Sequence, residues 1–161
     1  MIAIRELGAD EFDLVWPIFR DVVRAGDTYS YPPDITVEQA RALWLTPPSR
    51  VFIALDDHDP VGCYMMRPNQ PGLGDHVANA GYVVASHARG RGIAGTMCED
   101  SLARARREGF TAMQFNFVVS TNEVAVALWR KHGFEIVGRI PKAFRHATLG
   151  LVDTFVMHRM L

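Results

Sequence analysis

The chain has 161 residues, the length of one domain, expected over residues 1–161, and such a fold buries about two-thirds of the surface its unfolded chain exposes. Apolar residues make up 48% and charged residues 22%, which excludes a disordered chain, and a net charge of −1 excludes a global pull toward nucleic acid. Arg5, Glu6, Asp10, Glu11 and Asp13 break any secretory core and no later stretch is apolar enough to span a bilayer, so a cytoplasmic location without a membrane partner is expected.

MIAIREL reads as a short strand. Phe12, Val15, Trp16, Phe19 and Val23 then recur at helical spacing over Asp10 to Arg24, with Pro17 inside the pattern as a kink. The aromatic, turn-rich GDTYSYPPD leads to a second helix, Thr36 to Leu45, with Thr36 as N-cap and Pro47-Pro48 beyond its end. Strands Arg50 to Leu55 and Val61 to Met66 flank Asp56-Asp57-His58-Asp59-Pro60 as a hairpin. Past the breaker PNQPGLGD, Ala78 to Ala85 is an apolar run suited to a central strand. Ile93 to Glu108 forms a helix closed by Gly109, and Thr111 to Val119 a strand. Ser120-Thr121-Asn122-Glu123 is a capping-box pattern opening a helix that stops at Gly133. Strands Phe134 to Ile140 and Val152 to Leu161 complete the order β, α, α, β, β, β, α, β, α, β, β. That order predicts a mixed α/β domain, one sheet with helices on its faces. Cys63 and Cys98 lack CxxC spacing and read as buried reduced thiols, so neither a disulfide nor a metal site is expected.

Between the central strand and its helix stands Ser86-His87-Ala88-Arg89-Gly90-Arg91-Gly92-Ile93-Ala94-Gly95. A strand, a glycine-rich turn and a helix start in this order make an anion cradle, because orphan N–H groups and the positive dipole end point the same way. Glycines admit a phosphate closely, and Arg89 and Arg91 add charge, so a pyrophosphate is the expected ligand. Gly90 to Gly95 also matches the dinucleotide fingerprint G-x-G-x-x-G. That site requires a carboxylate at the end of the next strand, which instead reads Phe117-Val118-Val119-Ser120.

The same turn reads R-x-x-G-x-A from Arg89 through Gly92 to Ala94, and Asn122, Ala125, Leu128, Trp129 and Gly133-Phe134 follow as N-x-x-A-x-x-L-W-x-x-x-G-F. With these two motifs the chain resembles the GNAT acetyltransferase superfamily over roughly residues 50 to 140. The resemblance implies a central, mostly antiparallel sheet in which two parallel strands splay apart to admit acetyl-CoA. It further implies that backbone groups of Tyr82, Val83 and Val84 pair with the pantetheine arm, with Val84 or its neighbour donating to the thioester oxygen. Residues Arg89, Gly90, Arg91, Gly92, Ile93, Ala94 and Gly95 are implied to hold the pyrophosphate. Asn122 is implied to bind the pantetheine, with helix capping as the other reading.

Helical spacing sets Asn122 and Trp129 on one face. Many relatives carry Tyr at the place of Trp129 as the acid that protonates the departing sulfur. An indole cannot do so, and packing in the pocket wall is the other role for this residue. The acceptor ammonium, with a pKa of about 10.4 if it resembles Lys, must lose a proton before attack. The sequence assigns no base: His76, His87, Glu135 and Asp153 are the candidates, each with a surface role as the alternative. Asn79 and Asn116 lie in apolar strands and offer amide donors for a carboxylate, with simple structural hydrogen bonding as the other reading.

With MQFNFVVSTNEVAVALWRKHGFEIVGRIPKAFRH and this Asn pair, the chain resembles the proline-analogue acetyltransferases of fungi and their bacterial relatives, which implies a small amino acid as acceptor. Tyr29 and Tyr31 are expected in the wall of its pocket. Peptide N-termini and phosphinothricin-like amines are alternative acceptors, and an acyl-CoA sensor without turnover is an alternative of another class. A homodimer is expected from the resemblance. Nucleic acid is not an expected partner, since Arg104, Arg106 and Arg107 share their helix with Glu99, Asp100 and Glu108.

Overall fold

Alternating isoleucines form strand β1, Ile2–Glu6, in a computed structural model that describes residues 1–161. The helical periodicity that follows is divided in two. Ala9–Leu14 takes the tighter 3-10 winding, and helix α1 spans only Trp16–Ala25. Pro17 stands in the first turn of α1, where its missing N–H has no helical acceptor to lose, so it opens this helix instead of kinking one that runs from Asp10 to Arg24. Helix α2, Val37–Leu45, opens on the predicted cap: Thr36 Oγ1 accepts from the Gln39 amide at 3.2 Å, and Gln39 Oε1 accepts from the Thr36 amide at 3.0 Å.

Strands β2, Arg50–Asp56, and β3, Asp59–Pro68, form the predicted hairpin around a tight turn in which Asp57 has φ 55°. Then come β4, Val77–Val84, helix α3, Ile93–Arg107, β5, Ala112–Val119, and helix α4, Glu123–Lys131. Asn122 is the N-cap of α4, so Glu123 is its first residue and does not close the box expected from Ser120. Strands β6, Glu135–His146, and β7, Gly150–Met160, exceed their predicted bounds. They pair with each other out to His146 and Gly150, which satisfies the backbone of a polar segment that lacks apolar alternation.

All seven strands form one sheet in the order β1-β2-β3-β4-β5-β7-β6, antiparallel except for β4 against β5. Side-chain alternation along β4 separates its two faces. Gly81 meets Tyr29 from the α1–α2 connection, while the Tyr82 hydroxyl reaches Ser101 of α3 at 2.7 Å. Phe19, Tyr31 and Trp44 pack on the first face; Phe115, Trp129 and Phe134 pack on the second. A fully buried ring such as Phe19 is worth roughly 1.5–3 kcal/mol relative to exposure. Cys63 and Cys98 are buried and free; burial pushes the Cys98 thiol up to about 12. No helix is long and apolar enough to cross a membrane.

Candidate active site

Strands β4 and β5 pair only at Val77–Asn79 against Ala112–Gln114 and then part. The cause is on the far side of β5. Its register with β7 shifts between Phe115 and Val118, and this bulge bends β5 away from β4 around Asn116 and Phe117. Asn79 Nδ2, donating to the Gln114 carbonyl at 2.9 Å, closes the bottom of the gap.

Which amides face that gap follows from the antiparallel alternation. Asn69 donates to the Val77 carbonyl and Ala85 to the Val61 carbonyl, so odd-numbered residues of β4 turn their backbone groups toward β3. Ala80, Tyr82 and Val84 therefore turn theirs toward the gap. The Val84 N–H faces it, whereas the backbone of Val83 is taken by Cys63, contrary to the expectation that all three residues offer main-chain groups there. The Tyr82 carbonyl accepts from Tyr29 Oη at 3.0 Å.

Above the gap the chain turns through Gly90 and Gly92, at φ 74° and 79°. A side chain is strained in this left-handed region, and no neighbour would crowd a Cβ at either position. Gly92 is the N-cap of α3 and supplies no side-chain cap, so the first N–H groups of the helix remain open to an anion. Gly95 is helical, and a Cβ there would stand 3.5 Å from His132 and 3.8 Å from Leu128 of the α4 region, ordinary van der Waals contacts.

Turn, gap and the loop after α1 enclose a cavity of about 1030 Å³. Every residue singled out for cofactor or acceptor binding lines it except Arg91. Arg91 instead pairs with Asp56 at 2.5 Å, and this guanidinium holds the Asp56 carboxyl below the usual carboxylate range. Arg89 is the turn's cation in the cavity.

Trp129 is 8% exposed and lies 4.9 Å from both the Tyr82 and Phe115 rings, so packing explains the residue. Asn122 serves as a cap, accepting from the Ala125 amide at 3.3 Å through Oδ1, and also lines the cavity. Burial raises the Tyr82 phenol well above its ordinary pKa, and Tyr29 likewise, so both stay protonated.

On the opposite side the paired asparagines are tied into the sheet. Asn116 Nδ2 donates to Asn69 Oδ1 at 2.7 Å, and Gln114 Nε2 donates to Asn116 Oδ1 at 2.9 Å. Together with Asn79 they form a floor across the diverging strands. None of the four base candidates lines the large cavity. His76 and Glu135 are exposed, and His87 lines a separate hollow of about 180 Å³ beside α1. Asp153 binds the Lys142 amide and Arg139, which hold its carboxyl low. The one carboxylate in the cavity wall is Asp27, and Arg67 lines the same cavity. Sequence reasoning missed both. Arg67 follows the apolar strand Val61 to Met66, and its place opposite Asn79 is set by strand register, which no local stretch of sequence carries.

A family model described as Acetyltransferase (GNAT) family matches residues 10–134. The chain belongs to the GNAT acetyltransferase family. A GCN5-related N-acetyltransferase from Kribbella flavida is 48% identical, with TM-score 0.93 over 99% of this GNAT chain and 98% of that one. The N-acetyltransferase aca1 of Schizosaccharomyces pombe is 33% identical over 97 residues, 60% of this chain. Those residues span 46% of that curated relative, less than half its length. A phosphinothricin acetyltransferase from Sinorhizobium meliloti, solved with AcCoA, shares the GNAT fold at TM-score 0.84 and 21% identity, over 99% of this chain and 88% of that one. The single parallel pair in the sheet also disposes of the dinucleotide reading, which requires a run of parallel strands.

Proposed function

We propose that residues 1–161 act as one N-acetyltransferase domain that moves the acetyl group of acetyl-CoA directly to the amine of a small amino acid or proline analogue. The observation that supports this best is the meeting, in one cavity, of unpaired β4 amides with the glycine-rich front of α3. Acetyl-CoA supplies the activated acyl carbon. The open N–H groups from Gly92 to Gly95, with Arg89, suit its diphosphate. The Tyr82 N–H suits the pantetheine amides, and Asn122 retains its Nδ2 for the same arm. The Val84 N–H is the oxyanion donor, a contribution of about 3–4 kcal/mol in comparable sites.

Departure of the sulfur requires no phenol at the position of Trp129. A thiol with a pKa of about 8.5 leaves as thiolate near pH 7.5 at a cost on the order of 1.4 kcal/mol. A cytoplasmic homodimer is part of the proposal, supported by Val137, Ile140, Leu149 and Leu151, large apolar side chains exposed on the terminal hairpin. Sedimentation velocity that finds only monomer removes the dimer.

The deciding experiment is an amine panel with acetyl-CoA, read by CoA release and including azetidine-2-carboxylate, small branched amino acids, phosphinothricin and short peptides. Turnover on amino acids supports the reading. Turnover confined to peptides or phosphinothricin moves the acceptor to those classes, and thermal stabilisation by acetyl-CoA without turnover identifies a sensor.

A further inference from the structure

Arg67 and Asp27, of unlike charge, both line the cavity. Arg67 stands at the end of β3, where its register partner is Asn79, so its side chain emerges on the Tyr29 face of the sheet over the floor of amides. Asp27 stands on the loop that leaves α1. Neither is among the ion pairs of the protein, which occupy the N-terminal amine, Arg5, Arg20, Arg41, Arg50, Arg91, Arg104 and Arg139.

The loop bearing Asp27 is fixed from three directions. Gly26 accepts from the Ala147 amide at 2.9 Å. Tyr29 donates to the Tyr82 carbonyl at 3.0 Å, and Tyr31 accepts from Trp44 Nε1 at 3.2 Å, with the two tyrosine rings stacked 5.4 Å apart. Asp27 is therefore held before any ligand arrives. Met65, Phe117 and the tyrosine rings line the same cavity. In such surroundings a guanidinium pairs strongly with a carboxylate and a carboxylate with an ammonium.

We propose that Arg67 anchors the carboxylate of the acceptor and Asp27 draws in its ammonium end, so that the site selects free amino acids as zwitterions over peptide N-termini and simple amines. The inference rests on the acetyl-transfer reading and names the acceptor class for it. A peptide N-terminus brings the ammonium without the neighbouring carboxylate, so it lacks the charge-assisted contact to Arg67 that a free amino acid makes. Asp27 acts in capture, on the charged amine that predominates near neutral pH.

The test uses initial rates with acetyl-CoA on matched acceptors: a small amino acid, its primary amide and the corresponding decarboxylated amine. Wild-type protein is expected to prefer the free acid. Arg67→Met should raise the KM for the acid about 30-fold while leaving that for the amide nearly unchanged, and Arg67→Lys should fall between. Asp27→Asn should raise the KM for acid and amide alike, since both carry the ammonium. Calorimetry with acetyl-CoA on each variant verifies that the fold and the cofactor side persist. Equal wild-type rates on acid and amide, or an acid KM in Arg67→Met within about twofold of wild type, overturn the zwitterion site and leave acetyl transfer standing. Failure of the wild-type protein to bind acetyl-CoA overturns both.

Discussion

Tyr29 Oη donates to the main-chain carbonyl of Tyr82 at 3.0 Å, joining the loop after α1 to the open side of β4. Tyr29→Phe keeps the ring stack on Tyr31 and removes only this bond. Stability is expected to fall by about 1 kcal/mol in urea unfolding, with a larger loss in kcat/KM for the acceptor because the loop loses its register on the strand. Unchanged kinetics would show that the loop does not shape the acceptor site.

Gly92 holds φ 79° at the N-cap of α3 with empty space where a Cβ would be. Gly92→Ala therefore meets backbone strain without collision, of roughly 1–2 kcal/mol. If the turn cradles the diphosphate, calorimetry should also show acetyl-CoA affinity reduced about tenfold as the amides are re-aimed. Full affinity in a correctly folded variant argues against the cradle.

The two arginines of the turn should separate cleanly. Arg89→Ala, which removes the cation in the cavity wall, is expected to weaken acetyl-CoA binding about 10- to 100-fold, the range for a hydrogen-bonded charge. Arg91→Ala breaks the pair with Asp56 and should leave affinity close to wild type, since that pair is exposed. The reverse ranking by isothermal titration would mean that the turn rearranges on binding.

Thr154 is fully buried in β7, and its Oγ1 has no hydrogen-bond partner. Valine has nearly the same shape, favours strands and leaves no polar atom unsatisfied. Thr154→Val is expected to stabilise by about 1 kcal/mol, raising Tm by roughly 2–4 °C in a chain of this size. A lower Tm would place a buried water on that hydroxyl.

Glu11 accepts two bonds from Arg5, at 2.8 and 2.9 Å, and one from the Gly8 amide at 2.8 Å. Arg5 first, and then the Gly8 amide, lower its pKa from 4.5 to about 2. Because the folded value lies below the unfolded one, its contribution is complete above pH 4.5 and disappears as the pH falls toward 2. The Tm difference between wild type and Glu11→Gln should therefore shrink across that window. A difference constant with pH removes the pairing as its cause.

The legible part of this protein lies in short stretches. Thr36 caps α2 as read, and the order of elements follows from periodicity and breakers. Gly90 and Gly92 permit the left-handed backbone of the turn without strain, a property of the residue itself. Motifs of this kind act through neighbours a few residues apart, so the sequence alone determined the family and the position of the glycine-rich turn at the start of α3. Pro17 was misread because periodicity does not distinguish a 3-10 turn followed by a helix from one longer helix.

Tertiary structure decided what no local window contains. The gap exists because β5 bulges against β7, a register set between residues some forty positions apart. Arg91 turns to Asp56, and Arg67 and Asp27 reach one cavity, through pairings that span separate segments. Residue type and local spacing specify an element and the face a side chain takes on it. Which faces meet depends on strand register and on the bend a single extra residue imposes, and those are fixed only when distant parts of the chain pack together.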